Sequence, residues 1–196
     1  VTEADGWARR RARIARDIER NAIELLAQHG DQGVTVEQIA GASGISVRTF
    51  FRYFPSRDDV LTALPRRLND TTCRRVATRP VGERVLDSFI AAVHEGIDPD
   101  EEDLIRLWGH AVRRGFQPVA ASDESMVTAY AEVIAPRLGV EPDDLHVQVW
   151  ATAIAAVMWS TFVRWLEQSG QEPLAKLIGR SFDVLADLNR EPGGPK

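Results

Sequence analysis

The sequence predicts an all-α protein of about nine helices, and three observations carry that prediction. Apolar residues recur at three- and four-residue steps along most of the chain. No run of alternating β-branched residues stands out as a strand. Gly, Pro and Ser punctuate the helical stretches at short intervals. The 196 residues, 44% hydrophobic and 27% charged, suffice for one large or two smaller folded domains with a real core, and show no repeat period.

Taken in order, Arg9 to His29 places Ile14, Ile18, Ala22, Leu25 and Leu26 on one helix face, and Gly30 and Gly33 end it. Thr35 and Gln38 read as a capping box opening a short helix to about Ser43. Gly44 breaks that helix, and Ser46 can cap a second one, Val47 to Phe54. After Pro55, Ser56 caps a helix running to about Thr78, with Asp58 and Asp59 in the first turn, where the helix dipole favours negative charge. Pro65 inside it predicts a kink near Leu64. Beyond Pro80 the helices expected are Gly82 to Glu95, Asp100 to Arg114, Pro118 to Leu138, Pro142 to Glu167 and Pro173 to Asn189. The resulting division is a flexible N-terminus (1–8), a three-helix N-terminal domain (9–57), a connecting helix (58–79), a helical C-terminal domain (80–190) and a disordered tail (191–196).

The net charge of −5 argues at first against a polyanionic partner, but it is unevenly distributed. Through Pro80 there are 14 Arg and no Lys against 10 acidic residues, a net of +4, whereas the remainder carries 10 basic against 19 acidic residues, a net of −9. Arg9, Arg10, Arg11, Arg13, Arg16 and Arg20 crowd one end. A basic head on an acidic body suggests two roles, the first touching a polyanion. The arginine cluster is expected to enter a minor groove, to lie along a phosphate backbone, or to be a solvated arm.

Several classes are excluded. Cys73, the single cysteine, rules out an intrachain disulfide and a cysteine-rich zinc site, and four scattered histidines do not suggest a metal. The chain has no HExxH, nucleophile elbow, P-loop or GxGxxG, so neither an enzyme nor a cofactor is expected. Val1 to Trp7 lacks the apolar stretch of a signal peptide, which sets a cytoplasmic expectation. In Val147 to Leu166, 15 of 20 residues are apolar, the length of a membrane span. Gln148, Thr152, Ser160, Thr161 and Arg164 favour instead a helix buried by its own domain on one face and by a second copy on the other, with no membrane.

Two short helices joined by a Gly-containing turn, the second capped by Ser, form the layout of a helix-turn-helix that reads double-stranded DNA. Ile39, Ala40, Ile45, Phe50 and Phe54 supply its core. Val47, Arg48, Thr49, Phe51, Arg52 and Tyr53 are left available to a groove, where Arg can pair with guanine edges and apolar groups can meet thymine methyls. Thr35-Val-Glu-Gln-Ile-Ala, followed by Gly44-Ile-Ser-Val-Arg-Thr-Phe-Phe-Arg-Tyr-Phe-Pro-Ser-Arg-Asp-Asp-Val-Leu61, resembles the signature of the tetracycline-repressor (TetR) family of transcription regulators. The resemblance implies that Thr35 caps the first motif helix and touches phosphate, and that Ser46 opens the recognition helix. It implies that Arg48 and Thr49 meet bases, and that Phe51, standing where Tyr is usual, keeps only an apolar contact. Tyr53 would restore a backbone contact, and Arg57, in the place of a Lys, would aim its charge at phosphate.

The same resemblance implies an effector pocket in the C-terminal helices and a homodimer built on Leu145 to Trp165 and Leu174 to Leu188. Trp108, Phe116, Met126, Trp150, Met158 and Phe162 are candidate lining for a small hydrophobic effector, because aromatic and Met side chains make adaptable apolar walls. His94, His110, Gln148 and Thr152 are candidate polar anchors. The mechanism implied is repression of a palindromic operator relieved by ligand. An activator, or a regulator without a working pocket, is the alternative.

Overall fold

The structure is a computed structural model that describes residues 3–95, 99–114, 116, 124–167 and 172–187. Among the described residues it has ten α-helices and no strand: α1 (Glu3–His29), α2 (Val36–Ala42), α3 (Val47–Phe50), α4 (Arg57–Leu61), α5 (Ala63–Thr78), α6 (Val85–His94), α7 (Pro99–Arg113), α8 (Glu124–Leu138), α9 (Leu145–Glu167) and α10 (Leu174–Asp187). The expected tail and the start of the helix expected from Pro118 lie outside the described residues. The chain divides into two compact units, Val1–Arg66 with Asp100–Ala121, and Arg67–Pro99 with Ser122–Lys196.

In the first unit, α1 buries Ile18, Ala22, Ile23 and Leu26 and packs on α2 and α4. It starts at Glu3 rather than at Arg9, so residues 3–8, expected to be flexible, are helical. Gly30 ends it in the left-handed region, with φ of 71°, and its N–H bonds to the Leu26 carbonyl at 2.9 Å.

The helix expected from Ser56 to Thr78 is two helices. Thr62 (φ −106°, ψ 1°) separates α4 from α5, two residues ahead of the predicted kink. The cause remains Pro65. Having no N–H, it cannot bond back to the Leu61 carbonyl. That carbonyl instead accepts the indole Nε1–H of Trp108, at 2.8 Å. Trp108 is buried and meets the Phe116 ring edge-on at 6.3 Å, while Arg114 donates to the Ala27 carbonyl at 3.1 Å. These contacts tie α7 to α1 and α4. Residues 100–121 thus belong to the first unit, whereas the sequence pattern places them in the C-terminal domain.

In the second unit α9 packs against α8 and α10, and α10 against α6. Phe89, Tyr130, Ile134, Val147, Ala151, Ile154, Trp165 and Phe182 fill its core. The close approach of α10 to α6 needs Gly179, since a Cβ there would stand 2.9 Å from His94 Nε2. Arg137 of α8 closes the C-terminal end of α5. Its guanidinium donates to the carbonyls of Val76 (2.6 Å), Arg79 (3.2 Å), Pro80 (2.9 Å) and Glu83 (3.4 Å). Burial, reinforced by the charges of Asp70 and Glu132, pushes the Cys73 thiol up to about 11 and keeps it protonated at neutral pH.

Candidate nucleic-acid interface

The path from α2 to α3 is set by three capping motifs. The Thr35 hydroxyl accepts from Gln38 N (3.3 Å) while the Gln38 side chain accepts from Thr35 N (2.8 Å), the capping box read in the sequence. At the other end of α2, Ile45 N–H bonds to the Ala40 carbonyl (3.0 Å) and Gly44 N–H to the Gly41 carbonyl (3.1 Å). With Gly44 at φ of 64°, this is a Schellman turn, and it reverses the chain within three residues. Ser46 then caps α3 by accepting from Thr49 N (3.1 Å), and its hydroxyl also meets Thr49 Oγ1 at 2.9 Å.

Beneath this, Ile39, Ala40 and Phe50 are buried, and the Phe54 ring lies 5.9 Å from Phe50. Phe50 faces inward, so its neighbours are presented outward. Arg48 and Arg52 are exposed, Phe51 is 52% exposed, and Val47, Thr49 and Tyr53 are half-buried. Thr35 and Ser46 are exposed at the starts of the two helices. The recognition helix is shorter than expected, ending at Phe50 instead of Phe54. Arg52 and Tyr53 continue it as tight turns bonded to Thr49 and Phe50 carbonyls (3.1 and 2.8 Å). Pro55 sets the outer limit, because the residue preceding a proline is pushed out of the helical region, while the change to three-residue bonds after Phe50 ends the regular helix earlier.

Arg57 departs from its expected role. Its Nε donates to the Val34 carbonyl (2.7 Å), Nη2 to the Asp31 carbonyl (2.7 Å) and to the Asp31 carboxylate, and Nη1 to Asp58 (3.0 Å). The guanidinium is occupied in joining the loop after α1 to the start of α4, and is not aimed at an outside phosphate. Ser56 caps α4 as predicted: its Oγ accepts from Asp59 N (3.1 Å) and donates to the Asp59 carboxylate (2.7 Å). The Ser56 hydroxyl, helped by Arg66 and opposed by burial, holds the Asp59 carboxyl below the ordinary carboxylate value.

Two contacts of α1 with the helix-turn-helix have no counterpart among the motifs read from the sequence. Asn21 donates to Ser43 Oγ (3.1 Å) and to the Ala42 carbonyl (3.4 Å), at the end of α2. Arg11 donates to the Arg52 carbonyl (2.9 Å), and its guanidinium lies 5.4 Å from the Tyr53 ring and 5.7 Å from the Trp7 ring. The spacing of Trp7 and Arg11, four residues apart on one helix face, was the available signal.

Residues 18–64 match the model of bacterial regulatory proteins of the tetR family, and residues 119–189 match that of the MftR C-terminal domain. The transcriptional regulator MftR of Mycobacterium tuberculosis, whose name ties it to mycofactocin biosynthesis, is 32% identical over 93% of this chain and 94% of its own. The chain belongs to the TetR family. Among solved TetR-family structures, the fold resembles FadR of Thermus thermophilus in complex with lauroyl-CoA (TM-score 0.51, 23% identity, 93% of this chain and 99% of that one). It also resembles FadR of Bacillus subtilis in complex with stearoyl-CoA (TM-score 0.56, 16% identity, 86% and 96%). This protein is therefore a TetR-type transcriptional regulator, and regulators of that family are not enzymes.

The TetR residues expected to line an effector pocket do not gather in one unit. Trp108 and Phe116 belong to the first unit, where Trp108 spends its N–H on Leu61. Met126, Trp150, Met158 and Phe162 are half-buried in the second, with Phe162 between Trp159 (5.8 Å) and Trp165 (6.3 Å) in an aromatic row along α9. The expected polar anchors are engaged elsewhere or face outward. Gln148 Nε2 donates to the Pro142 carbonyl at 2.7 Å, and Thr152 is exposed. His110 is exposed and contacts Arg113 at 2.7 Å, and His94 is exposed beside Gly179. The polar atom left over in the second unit is one the sequence did not single out: Asn69 Oδ1 on α5, buried with no hydrogen-bond partner among the described residues.

Proposed function

We propose that this TetR-family regulator is a homodimeric repressor that holds a palindromic operator and is released by a small hydrophobic effector, in the cytoplasm. The reading rests above all on the outward set Arg48, Phe51 and Arg52, carried by a capped turn on a closed core. Arg48 and Arg52 suit guanine edges, Val47 and Phe51 suit thymine methyls, and Thr35, Ser46, Thr49 and Tyr53 suit phosphates. Arg57 is reassigned from phosphate contact to holding the head together.

Dimerisation is supported by the outer face of α9. Leu145 (74% exposed) and Val149 (59%) begin a row that continues through Thr152, Ala156, Trp159 and Val163 at alternating four- and three-residue steps. Such a seam is built to pack on a second helix. The opposite face of α9 buries Val147, Ala151, Ile154 and Trp165 in its own unit. Length and apolarity would also let α9 cross a membrane. We read its exposed side as covered by a second copy and its partner list as free of membrane.

For the effector, Met126, Trp150, Met158 and Phe162 offer apolar contact, and Asn69 Oδ1 offers an acceptor that a ligand donor would satisfy. The FadR proteins above hold acyl-CoA esters, which makes lauroyl-CoA and stearoyl-CoA the first compounds to test. An effector that prefers a conformation with misplaced recognition helices must weaken DNA binding, and DNA must weaken effector binding equally. The test is a titration of acyl-CoA esters into protein bound to the DNA flanking its own coding sequence. Release of the duplex supports ligand-relieved repression. A compound that binds the protein yet leaves duplex affinity unchanged refutes it.

A further inference from the structure

The start of α1 carries Arg9, Arg10, Arg13 and Arg16, all exposed, and among the described residues none of them forms an ion pair. Four guanidinium groups within three helical turns repel one another, and among the described residues no ion pair offsets that. They suit a polyanion better than they suit this protein. Arg11 behaves differently. It turns back to the Arg52 carbonyl and lies between the Trp7 and Tyr53 rings, while Asn21, ten residues later, holds the end of α2. The basic end of α1 is thereby fixed, by two tethers, beside the residues that follow the recognition helix. It is an ordered helix there and not a loose arm.

We infer that the first turns of α1 form a second DNA-contacting element, in which Arg10 and Arg13, with Arg9 and Arg16 beside them, bind the phosphate backbone next to the groove occupied by α3. Arg11 is a positioning residue: at the surface it spends its charge on the Arg52 carbonyl and the Tyr53 and Trp7 rings, so that its neighbours can spend theirs on DNA. Trp7, 63% exposed, is the outer wall of that clamp. The inference rests on the DNA-binding reading above and extends it to residues outside the helix-turn-helix.

The test is the salt dependence of binding to a mixed-sequence duplex, because each phosphate no longer neutralised by the protein lowers the slope of log K against log salt by about 0.9. Arg10→Gln/Arg13→Gln is compared with Arg74→Gln/Arg84→Gln, which removes equal charge from exposed positions in the other unit. The α1 variant is expected to lower the slope by about 2 per protomer, and the control to leave it unchanged. An unchanged slope for the α1 variant, or an equal drop in both, overturns the inference while leaving the helix-turn-helix reading intact. Failure of the wild-type protein to bind any duplex overturns both.

Discussion

In the head of the molecule Thr35 reaches Gln38, Ser46 reaches Thr49 and Ser56 reaches Asp59, each three positions along the chain. In the other unit Arg137 reaches back 54 to 61 positions to carbonyls at the end of α5 and in the loop that follows it, and Arg75 donates across 17 positions to the Ala92 carbonyl at the end of α6 (3.0 Å). Both solve the same problem, the unsatisfied backbone groups at helix ends. The head caps the starts of α2, α3 and α4 locally, with side chains written beside each helix, and leaves the ends of α1, α2 and α4 to the distant donors Arg114, Asn21 and Trp108. The other unit caps the start of α9 locally, through Asp144 and the His146 N–H (2.8 Å), but closes the ends of α5 and α6 with distant arginines, so those two ends depend on the fold being formed.

The largest effect that would test this contrast is loss of the head's core. Phe50→Ala removes a fully buried ring and is expected to cost about 3–5 kcal/mol. Urea denaturation should show it, together with loss of duplex binding. A smaller cost comes from the distant caps. Arg137→Met is expected to cost about 2–3 kcal/mol, against about 1 kcal/mol for the local cap removed by Ser46→Ala. Equal losses in the two variants would contradict the distinction drawn between local and distant capping.

Within the head, one long-range contact has a built-in control. Trp108→Phe strands the Leu61 carbonyl and should cost about 1–3 kcal/mol. With Pro65→Ala, which restores a backbone donor for that carbonyl, the same change should cost measurably less. A double-mutant cycle with no coupling would refute the link between Pro65 and Trp108. The smallest effect is that of pH. The Asp59 carboxyl titrates below its ordinary value, chiefly through the Ser56 hydroxyl, so its contribution is present above an unfolded pKa of about 3.9 and is lost as pH falls through the lower folded value. Asp59→Asn should lower the urea midpoint at neutral pH and match wild type in strong acid.

The same contrast explains what could be read from the sequence. The capping box at Thr35, the caps at Ser46 and Ser56, and the Gly44 turn are legible because both partners sit within a few residues. The end of α3 at Phe50 is not, because the aromatic pattern continues through Phe54 while the backbone has already tightened to three-residue bonds at Arg52 and Tyr53. The place of α7 is hidden because the contact between Trp108 and Leu61 joins residues 47 positions apart. Arg57 misleads because its partners, Asp31 and Val34, precede it by more than twenty residues. The effector candidates rest on residue type alone. Asn69, whose buried Oδ1 marks it in the structure, carries no local pattern.

At the centre stands the proposal that Arg48, exposed on α3, reads bases while the capped head presents it. Binding of wild type and Arg48→Ala to the flanking operator DNA and to a scrambled duplex tests this directly. Arg48→Ala is expected to lose about 1–3 kcal/mol on the operator and far less on the scrambled duplex. Equal losses on the two would contradict it.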